Sequence, residues 1–251
     1  MAEQDAPLIS LEKVTKAYGA GQARIFALCG IDLTIAPGQF ISVMGPSGSG
    51  KSTCMNILGC LDSPTSGRYR FGGVEVSGLP RKKLAALRRF YLGFVFQGFN
   101  LLSRTTALEN VELPLMYRGI PAGKRRAMAL QALEQVGLEG RASHTPAELS
   151  GGQQQRVAIA RAIATHPAVL FADEPTGNLD SARSHEIMGL LKELNQTRKI
   201  TVVMVTHEAE MAAYSDRIVR FLDGRVEGES PGMDEPAAES TNTAEPMETA
   251  P

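Results

Sequence analysis

The sequence of 251 residues lacks several features, and each absence narrows what the protein can be. It has no tryptophan and three cysteines, Cys29, Cys54 and Cys60, whose spacing matches no metal-ligand motif. Few, unclustered cysteines are typical of the reduced cytosol and disfavour a disulfide-stabilised secreted domain. No stretch approaches the ~20 apolar residues that span a bilayer. The first residues have neither the basic nor the apolar region of a secretory signal. If the protein works at a membrane, we therefore expect another chain to cross it.

Basic residues are missing from the end of the chain. No lysine or arginine follows Arg225, whereas seven acidic residues do. Those seven account for part of the 27 acids of the whole chain, so residues 1–226 carry 26 bases against 20 acids, a formal charge of about +6. That surplus is compatible with a membrane surface or a nucleic acid as partner, although an ordinary solvated surface explains it as well. Residues 227–251 are rich in Pro, Glu, Ala, Ser and Thr without apolar periodicity, which predicts a disordered tail.

The strongest motif is a glycine-rich stretch that fits G-x-x-x-x-G-K-[ST]. A short apolar strand, residues 40–44, precedes it, and a helix is predicted to follow it. Glycines let backbone N–H groups turn inward, and the helix N-terminus adds the positive end of its dipole. Lys51 is predicted to reach the β- and γ-phosphates, and the Ser52 hydroxyl to coordinate Mg²⁺. The sequence thus predicts a nucleoside triphosphate site made by Gly45, Pro46, Ser47, Gly48, Ser49, Gly50, Lys51, Ser52 and Thr53. We call these nine residues the phosphate loop.

A second stretch has the character of an anion site. Ser150, Gly151, Gly152 and Gln153 stand before an apolar-periodic helix. A hydroxyl, free N–H groups and a helix dipole are the parts from which such sites are made. One triphosphate has one γ-phosphate, so either two anions bind to one chain or two chains share their sites crosswise. Both interpretations remain open on the residues alone.

Two acids and a histidine follow apolar runs typical of buried parallel strands. Asp173 and Glu174 end the run 168–172, and His207 comes shortly after the run 201–205. Ligands of open α/β sheets bind at the carboxyl ends of strands. There Asp173 can hold Mg²⁺ through water, while Glu174 can orient or deprotonate an attacking water. A lone histidine is more often structural, but His207 is placed to converge with Glu174 on one γ-phosphate.

Two further residues have more than one interpretation. Tyr18 closes a strand predicted over residues 8–15, as a surface tyrosine or as a ring stacked on a purine. Gln97 ends the apolar strand 92–96, as a hydrogen-bonded edge residue or as a Mg²⁺ ligand through its carbonyl oxygen. Residues 106–136 show helical periodicity with a break at 119–121, which indicates a helical block inserted between strands.

Together these residues resemble the ATP-binding subunit of an ABC transporter. The stretches that carry the resemblance are Tyr18, Gly45–Thr53, Gln97, Leu149–Arg156, Phe171–Asp180 and His207. It covers residues 8–226, outside a short N-terminal tail (1–7) and the acidic tail. It implies an α/β fold: a P-loop NTPase core with a mostly parallel sheet, an N-terminal antiparallel β subdomain and an inserted α-helical subdomain at about 98–165. It also implies ATP and Mg²⁺ as cofactors.

The resemblance assigns a role to each matching residue. Tyr18 becomes the adenine-stacking residue, Gln97 the lid glutamine at the contact with the membrane subunit, and His207 the switch histidine. Ser150, Gly151 and Gly152, with Gln153, cover the γ-phosphate of the ATP held by a partner copy. Asp180 lies in the dimer-contact loop. The implied assembly is a homodimer with two ATPs between the phosphate loop of one copy and the signature, residues 149–153, of the other.

Within that superfamily, the chain is similar to the macrolide-exporter group, which includes lipoprotein-releasing ATPases and a cell-division ATPase that acts on wall hydrolases. The matching segments are 56–62, 94–102, 107–115 and 173–180. The group implies an integral membrane permease with few spans, a periplasmic adaptor as a further partner, and a place on the cytoplasmic face of the inner membrane. Gly98 stands where the group varies, the acidic tail is not shared, and macrolide exporters carry the membrane part on the same chain.

Two other functions have sequence features in common with an ABC transporter subunit. Soluble ABC-type ATPases act on ribosomes or DNA, but they carry two cassettes or a coiled-coil insertion. This chain has one phosphate loop, one signature and no long heptad run, so we expect no nucleic-acid partner. A regulator of cell-wall hydrolases that transports nothing has the same ATPase sequence features as an exporter. A neighbouring reading frame with about four predicted spans and a large periplasmic domain would favour the macrolide-exporter group.

Overall fold

The computed structural model describes residues 6–19 and 21–232. In chain order the strands are β1 (Ile9–Tyr18), β2 (Ile25–Ile35), β3 (Phe40–Met44), β4 (Ser66–Phe71), β5 (Val74–Glu75), β6 (Leu92–Phe96), β7 (Val169–Asp173), β8 (Thr201–Val205), β9 (Arg217–Leu222) and β10 (Arg225–Pro231). The helices are α1 (Lys51–Leu58), α2 (Arg81–Tyr91), α3 (Ala107–Tyr117), α4 (Ala122–Gln135), α5 (Gly151–Ile163), α6 (Ser181–Arg198) and α7 (Ala209–Ala212). Within the described residues, none of these helices is both long and apolar enough to cross a bilayer.

The strands form two sheets. The larger has the order β10-β9-β3-β8-β7-β6, and the smaller has the order β2-β1-β4-β5. In the larger sheet β3 runs parallel to β8 and β9, and β7 runs parallel to β8 and β6, while β10 is antiparallel to β9. The smaller sheet is antiparallel throughout. The predicted fold class, a mostly parallel core with an N-terminal antiparallel β sheet, is confirmed.

Alternate residues of the central strands enter two separate cores, because side chains of a strand point to opposite faces. On β7, Leu170 packs into a core shared with α3, α4, α5 and α6, whereas Phe171 packs into a core shared with α1 and the small sheet. Both side chains are buried. This double burial explains why the run 168–172 is continuously apolar. It also fixes the carboxyl end of β7, where the acids follow.

The helical block lies between β6 and β7 in the chain. Thr106 caps α3 in a capping box with Glu109, which fixes where the helix begins. The predicted break at 119–121 separates α3 from α4, and Pro121 directly precedes α4. Buried Leu115 and Leu133 join these helices to α5 in the same core. The block is therefore packed against α5, the helix that begins at the signature residues.

The predicted disordered tail, residues 227–251, is wrong at its N-terminal end, because its first residues form a strand. Residues 227–231 belong to β10, which pairs with β9 from Arg225↔Leu222 to Pro231↔Arg217. Arg217 Nη1 also lies 3.2 Å from Glu229 Oε2. An edge strand buries little side-chain area and needs no apolar alternation. The polar composition of β10 therefore gave no signal that predicts a strand. Residues 233–251 of the predicted tail, and residues 1–5 at the other end, lie outside the described residues.

Candidate active site

The phosphate loop joins the carboxyl end of β3 to the N-terminus of α1 and forms one wall of an open cleft. The cleft has a volume of ≈ 530 Å³. Its other walls come from the small sheet and from the ends of β7 and β8. The lining residues are Ala27, Gly45, Pro46, Ser47, Gly48, Gly50, Lys51, Ser52, Thr53, Glu174, Val205 and His207. The strand–loop–helix context that the motif requires is therefore present.

Two glycines of the phosphate loop occupy places that no side chain can fill. Gly45 has φ +154°, and a Cβ there would lie 2.2 Å from the Phe221 carbonyl oxygen. Gly50 has φ +102° at the start of α1, and a Cβ there would lie 2.5 Å from the Ala27 carbonyl oxygen. The backbone thus passes close to β2 and β9 while its first helical N–H groups stay available. Such N–H groups at a helix N-terminus bind phosphate oxygens.

This geometry predicts different effects for two alanine substitutions in the same loop. Gly45→Ala is expected to lower the free energy of unfolding by roughly 2–4 kcal/mol, because the added methyl group would clash with the Phe221 main chain, which is held in strand β9. Gly48→Ala is the matched control, since Gly48 also has positive φ but no atom lies within 4 Å of its Cβ position. It should cost about 1–2 kcal/mol, the left-handed penalty alone. Urea unfolding of both proteins measures the difference, and equal losses would contradict the close packing at Gly45.

Lys51 lies along the inside of the loop. Its Nζ donates hydrogen bonds to the carbonyl oxygens of Gly45 at 2.7 Å and Pro46 at 2.9 Å. The side chain is 8% exposed. An ammonium group has three donors, and these two contacts hold it over the loop, where a phosphate chain would lie. The sequence interpretation of Lys51 as a phosphate ligand therefore fits its position.

The carboxyl ends of β7 and β8 bring Glu174 and His207 together. His207 Nδ1 lies 3.0 Å from Glu174 Oε1, and both residues line the cleft. Glu174 has φ +45°, a conformation that costs free energy in any residue other than glycine. Its N–H donates to the Val205 carbonyl oxygen at 2.9 Å, which helps to hold the strained residue. The two side chains that were predicted to converge are thus in contact.

Asp173 lies beside Glu174 at the end of β7. Burial, and secondly the Glu174 carboxylate, raise the pKa of Asp173 above its ordinary value, while the Lys51 ammonium opposes the rise. A cation bound near Asp173 would therefore stabilise its charged form. Oxygen donors suit Mg²⁺, which commonly takes one or two protein oxygens and completes its shell with phosphates and water. Of the two residues predicted to hold Mg²⁺ here, Ser52 lines the cleft, and Asp173 adjoins Glu174, which also lines it.

Gln97 and Tyr18 are among the predicted site residues that do not line the cleft. The Gln97 side chain is exposed, and the main-chain carbonyl oxygen of Gln97 accepts a hydrogen bond from Asn178 Nδ2 at 2.9 Å. Tyr18 is 45% exposed and its hydroxyl donates to Asp62 Oδ2 at 3.0 Å. Tyr18 pairs with Ile25, two residues from the Ala27 that lines the cleft. The backbone of Tyr18 is thus close to the cleft wall, whereas Gln97 is held by the loop after β7. The roles of both stay predictions.

The signature turn, which we define as residues 149–153, begins α5. Ser150 and Gln153 form a capping box: Ser150 Oγ accepts from the Gln153 N–H at 3.4 Å, and Gln153 Oε1 accepts from the Ser150 N–H at 3.0 Å. Of the described residues that line the cleft, none belongs to the signature turn. The second anion site is therefore separate from the phosphate loop of its own chain.

Asp180 ends the loop that follows Glu174 and caps α6. Its Oδ1 accepts from the Arg183 N–H at 3.0 Å, and its Oδ2 lies 2.6 Å from Arg183 Nη1. Asp180 caps α6 ahead of the neighbouring Ser181, because an aspartate accepts the N3 hydrogen bond as well as a serine does. The wall residues Ala27 and Val205 were not predicted, and their apolar identity carries no signal that could have marked them.

Comparisons with known proteins agree with this geometry. A family model described as ABC transporter matches residues 28–177. The macrolide export ATP-binding/permease protein MacB 1/2 of Paracoccus denitrificans (strain Pd 1222) is 54% identical over 226 residues, which are 90% of this chain and 34% of that protein. An uncharacterized ABC transporter ATP-binding protein of Methanocaldococcus jannaschii, MJ0796, is 52% identical over 226 residues, 88% of this chain and 96% of that protein.

A solved structure shows the same architecture. It is the dimeric, post-hydrolysis state of the MJ0796 cassette bound to ADP and Pi, with a TM-score of 0.82 and 47% identity. The match covers 90% of this chain and 99% of that one. In contrast, the chain spans about a third of the length of the macrolide exporters that it matches.

Proposed function

This chain belongs to the ABC transporter ATP-binding family, and from that premise we propose that it is the Mg²⁺-dependent, dimeric ATPase of a membrane complex of the macrolide-exporter type. One observation carries the proposal. The cleft unites the phosphate loop, Lys51, Glu174 and His207, while the signature turn lies outside that cleft. A second copy facing the first in the opposite sense would supply the missing signature turn.

The reaction proposed for the cleft is hydrolysis of ATP by in-line attack of water on the γ-phosphorus. The bond to the bridging oxygen breaks as the bond to the water oxygen forms, giving ADP and phosphate. Glu174 orients the water and accepts its proton, and His207 is placed to contact both that carboxylate and the γ-phosphate. Lys51 and the N–H groups of the loop stabilise charge on the phosphates. A bound Mg²⁺, held by Ser52 and Asp173, would neutralise further phosphate charge.

The dimer is supported by the site and by a relative. Phosphoryl transfer depends on positioned donors around all the γ-phosphate oxygens, and one cleft offers donors from one side only. The signature turn offers a hydroxyl, N–H groups and the N-terminus of the 13-residue α5. The cassette of MJ0796 is dimeric in its ADP- and Pi-bound structure. We therefore assign Ser150, Gly151 and Gly152 to the nucleotide of the partner copy.

A groove on another face supports a membrane partner. It has a volume of ≈ 630 Å³, is largely apolar, and lies between the α2–β6 segment and α3. Among its lining residues are Leu61, Phe94, Phe96, Leu113, Pro114 and Tyr117. Leu61 is 50% exposed and Tyr117 is 72% exposed, so the groove presents apolar side chains to solvent. Exposed apolar surface of this kind marks interaction sites. We assign it to a short helix of the permease.

The groove is connected to the Gln97 loop. Arg161 lines the groove and donates to the carbonyl oxygens of Asn100 at 2.6 Å and Phe99 at 2.9 Å. Both acceptors lie in the loop after Gln97, which in turn contacts Asn178. A partner bound in the groove would thus be connected, through the Gln97 loop, to the segment that follows Glu174. We propose that the protein works at the cytoplasmic face of the inner membrane, with a few-span permease and a periplasmic adaptor completing the complex.

A charge introduced into the groove tests the permease contact. Tyr117→Glu is expected to lower co-purification with the proposed permease by about tenfold, because a charge is placed in an apolar contact. ATP hydrolysis by the isolated chain should stay within about twofold of wild type. The matched control is Leu130→Glu, a partly exposed apolar residue of α4 outside the groove. Undiminished co-purification of the Tyr117 variant would contradict the assignment of the groove.

A further inference from the structure

Three consecutive glutamines at the start of α5 have three different hydrogen-bond partners. Gln153 belongs to the capping box with Ser150, and Gln154 Nε2 donates to the Leu149 carbonyl oxygen at 3.1 Å. Both therefore serve the signature turn itself. Gln155 points the other way, and its Nε2 donates to the Pro175 carbonyl oxygen at 2.6 Å. Of the three, Gln155 is thus the glutamine whose side chain donates to a different segment, the loop after β7.

The Gln155 amide is buried and its orientation is determined. The residue is 0% exposed. Only its NH₂ group can face a carbonyl oxygen, so exchanging the amide oxygen and nitrogen would place two acceptors against each other. The Oε1 atom is buried and accepts no hydrogen bond from any residue that the structure describes. A buried polar atom without a partner costs free energy, so its retention calls for a reason other than stability.

The acceptor of this bond adjoins the strained catalytic residue. Pro175 follows Glu174, and proline has no N–H, so its carbonyl oxygen is the only main-chain group through which Pro175 can be hydrogen-bonded. Glu174 itself is held by its N–H bond to Val205 and by the Gly177 N–H, which donates to the Glu174 carbonyl oxygen at 3.1 Å. A residue with φ +45° keeps that conformation only where its surroundings over-determine it. The bond from Gln155 is one of those determinants.

From this arrangement we propose that Gln155 is a positioning residue: by holding Pro175 it aims the Glu174 carboxylate, and it connects the signature turn to the hydrolytic group of the same chain. The inference rests on the proposed function, in which the signature turn binds the partner's nucleotide. Gln155 lies about one helical turn, roughly 6 Å along the axis, from Gly151. A shift of α5 that follows engagement of the signature turn is therefore passed to Pro175 through one short bond.

The test replaces the amide with a side chain of similar volume and no donor. Gln155→Met is expected to lower kcat for ATP hydrolysis by about tenfold, because about 1.4 kcal/mol of positioning is lost from the transition state. KM for ATP, and ATP-driven dimerisation measured by light scattering, should stay within about twofold. The matched control is Asn195→Leu, since buried Asn195 also donates to backbone carbonyls, those of Gly38 and Ile200, but far from Glu174. It should lower Tm and leave kcat unchanged.

A double-mutant cycle with Glu174→Gln identifies the route of the effect. If Gln155 acts through Glu174, Gln155→Met causes no further loss of residual hydrolysis in that background. An equal loss in both backgrounds, or a wild-type kcat in the single variant, would overturn the inference. Should the Met variant fail to fold, Gln155→Asn carries the same test, because its shorter amide cannot keep the 2.6 Å contact. Absence of hydrolysis or dimerisation in the wild-type protein would instead overturn the proposed function.

Discussion

Glu174→Gln is expected to lower kcat for ATP hydrolysis by about 10²–10⁴-fold, the range that a positioned general base contributes, while ATP binding persists. The carboxylate that contacts His207 at 3.0 Å is the group placed to take a proton from water, and an amide of the same size cannot take it. Because the phosphate loop and Lys51 remain intact, the variant should hold uncleaved ATP. Because the dimer closed around two ATPs should dissociate only after hydrolysis, it is expected to accumulate in this variant.

Two measurements separate this expectation from general damage. Single-turnover hydrolysis gives the loss of the chemical step, and size-exclusion chromatography with light scattering gives the dimer in ATP. Glu210→Gln is the control, because Glu210 lies near His207 in the chain, on α7, and pairs with His185 outside the cleft. It should behave as wild type. A Glu174 variant that stays monomeric in saturating ATP would contradict the shared sites, and one that hydrolyses normally would remove Glu174 from the mechanism.

The parts of the fold that sequence could predict are those in which function and local structure coincide. The phosphate loop is contiguous with β3 and α1, so one stretch of the chain specifies the strand, the turn and the helix. The continuous apolar run of β7 was recognisable because both of its faces are buried. Glu174 and His207 could be paired from their common place after parallel strands, since such ends meet at one edge of a sheet.

The parts that escaped prediction depend on contacts distant in sequence. β10 is an edge strand whose pairing with β9 is invisible in its polar composition. Gln97 could not be placed, because its position is set by Asn178, 81 residues further along the chain. Gln155 and Gln154 are identical neighbours in the sequence, and only the fold shows that one of them reaches Pro175. Identity of residue type does not determine the partner of a side chain.

A substitution of Gly151 can distinguish a nucleotide site that lies within one chain from a site that two chains share. It begins α5 with φ outside the left-handed region, and a Cβ there would make an ordinary contact, 3.4 Å from Leu179 Cδ2. Gly151→Asp should therefore fold, and its charge at a helix N-terminus is even favourable for the helix. The same charge would repel a γ-phosphate that approaches the signature turn. Lys51→Ala has the complementary defect: it should lose most ATP binding, while its signature turn stays intact.

Mixing these two inactive proteins is expected to restore hydrolysis. Random pairing puts about half of the chains into heterodimers, each with one intact site made from Lys51 of one copy and Gly151 of the other, which corresponds to about a quarter of wild-type activity. Gly151→Asn is the control for bulk without charge, and it should retain more activity than Gly151→Asp. ATPase rates of the separate and mixed proteins decide the question, with cross-linking to count heterodimers. Heterodimers that form but stay inactive would mean that the phosphate loop and the signature turn act within one chain.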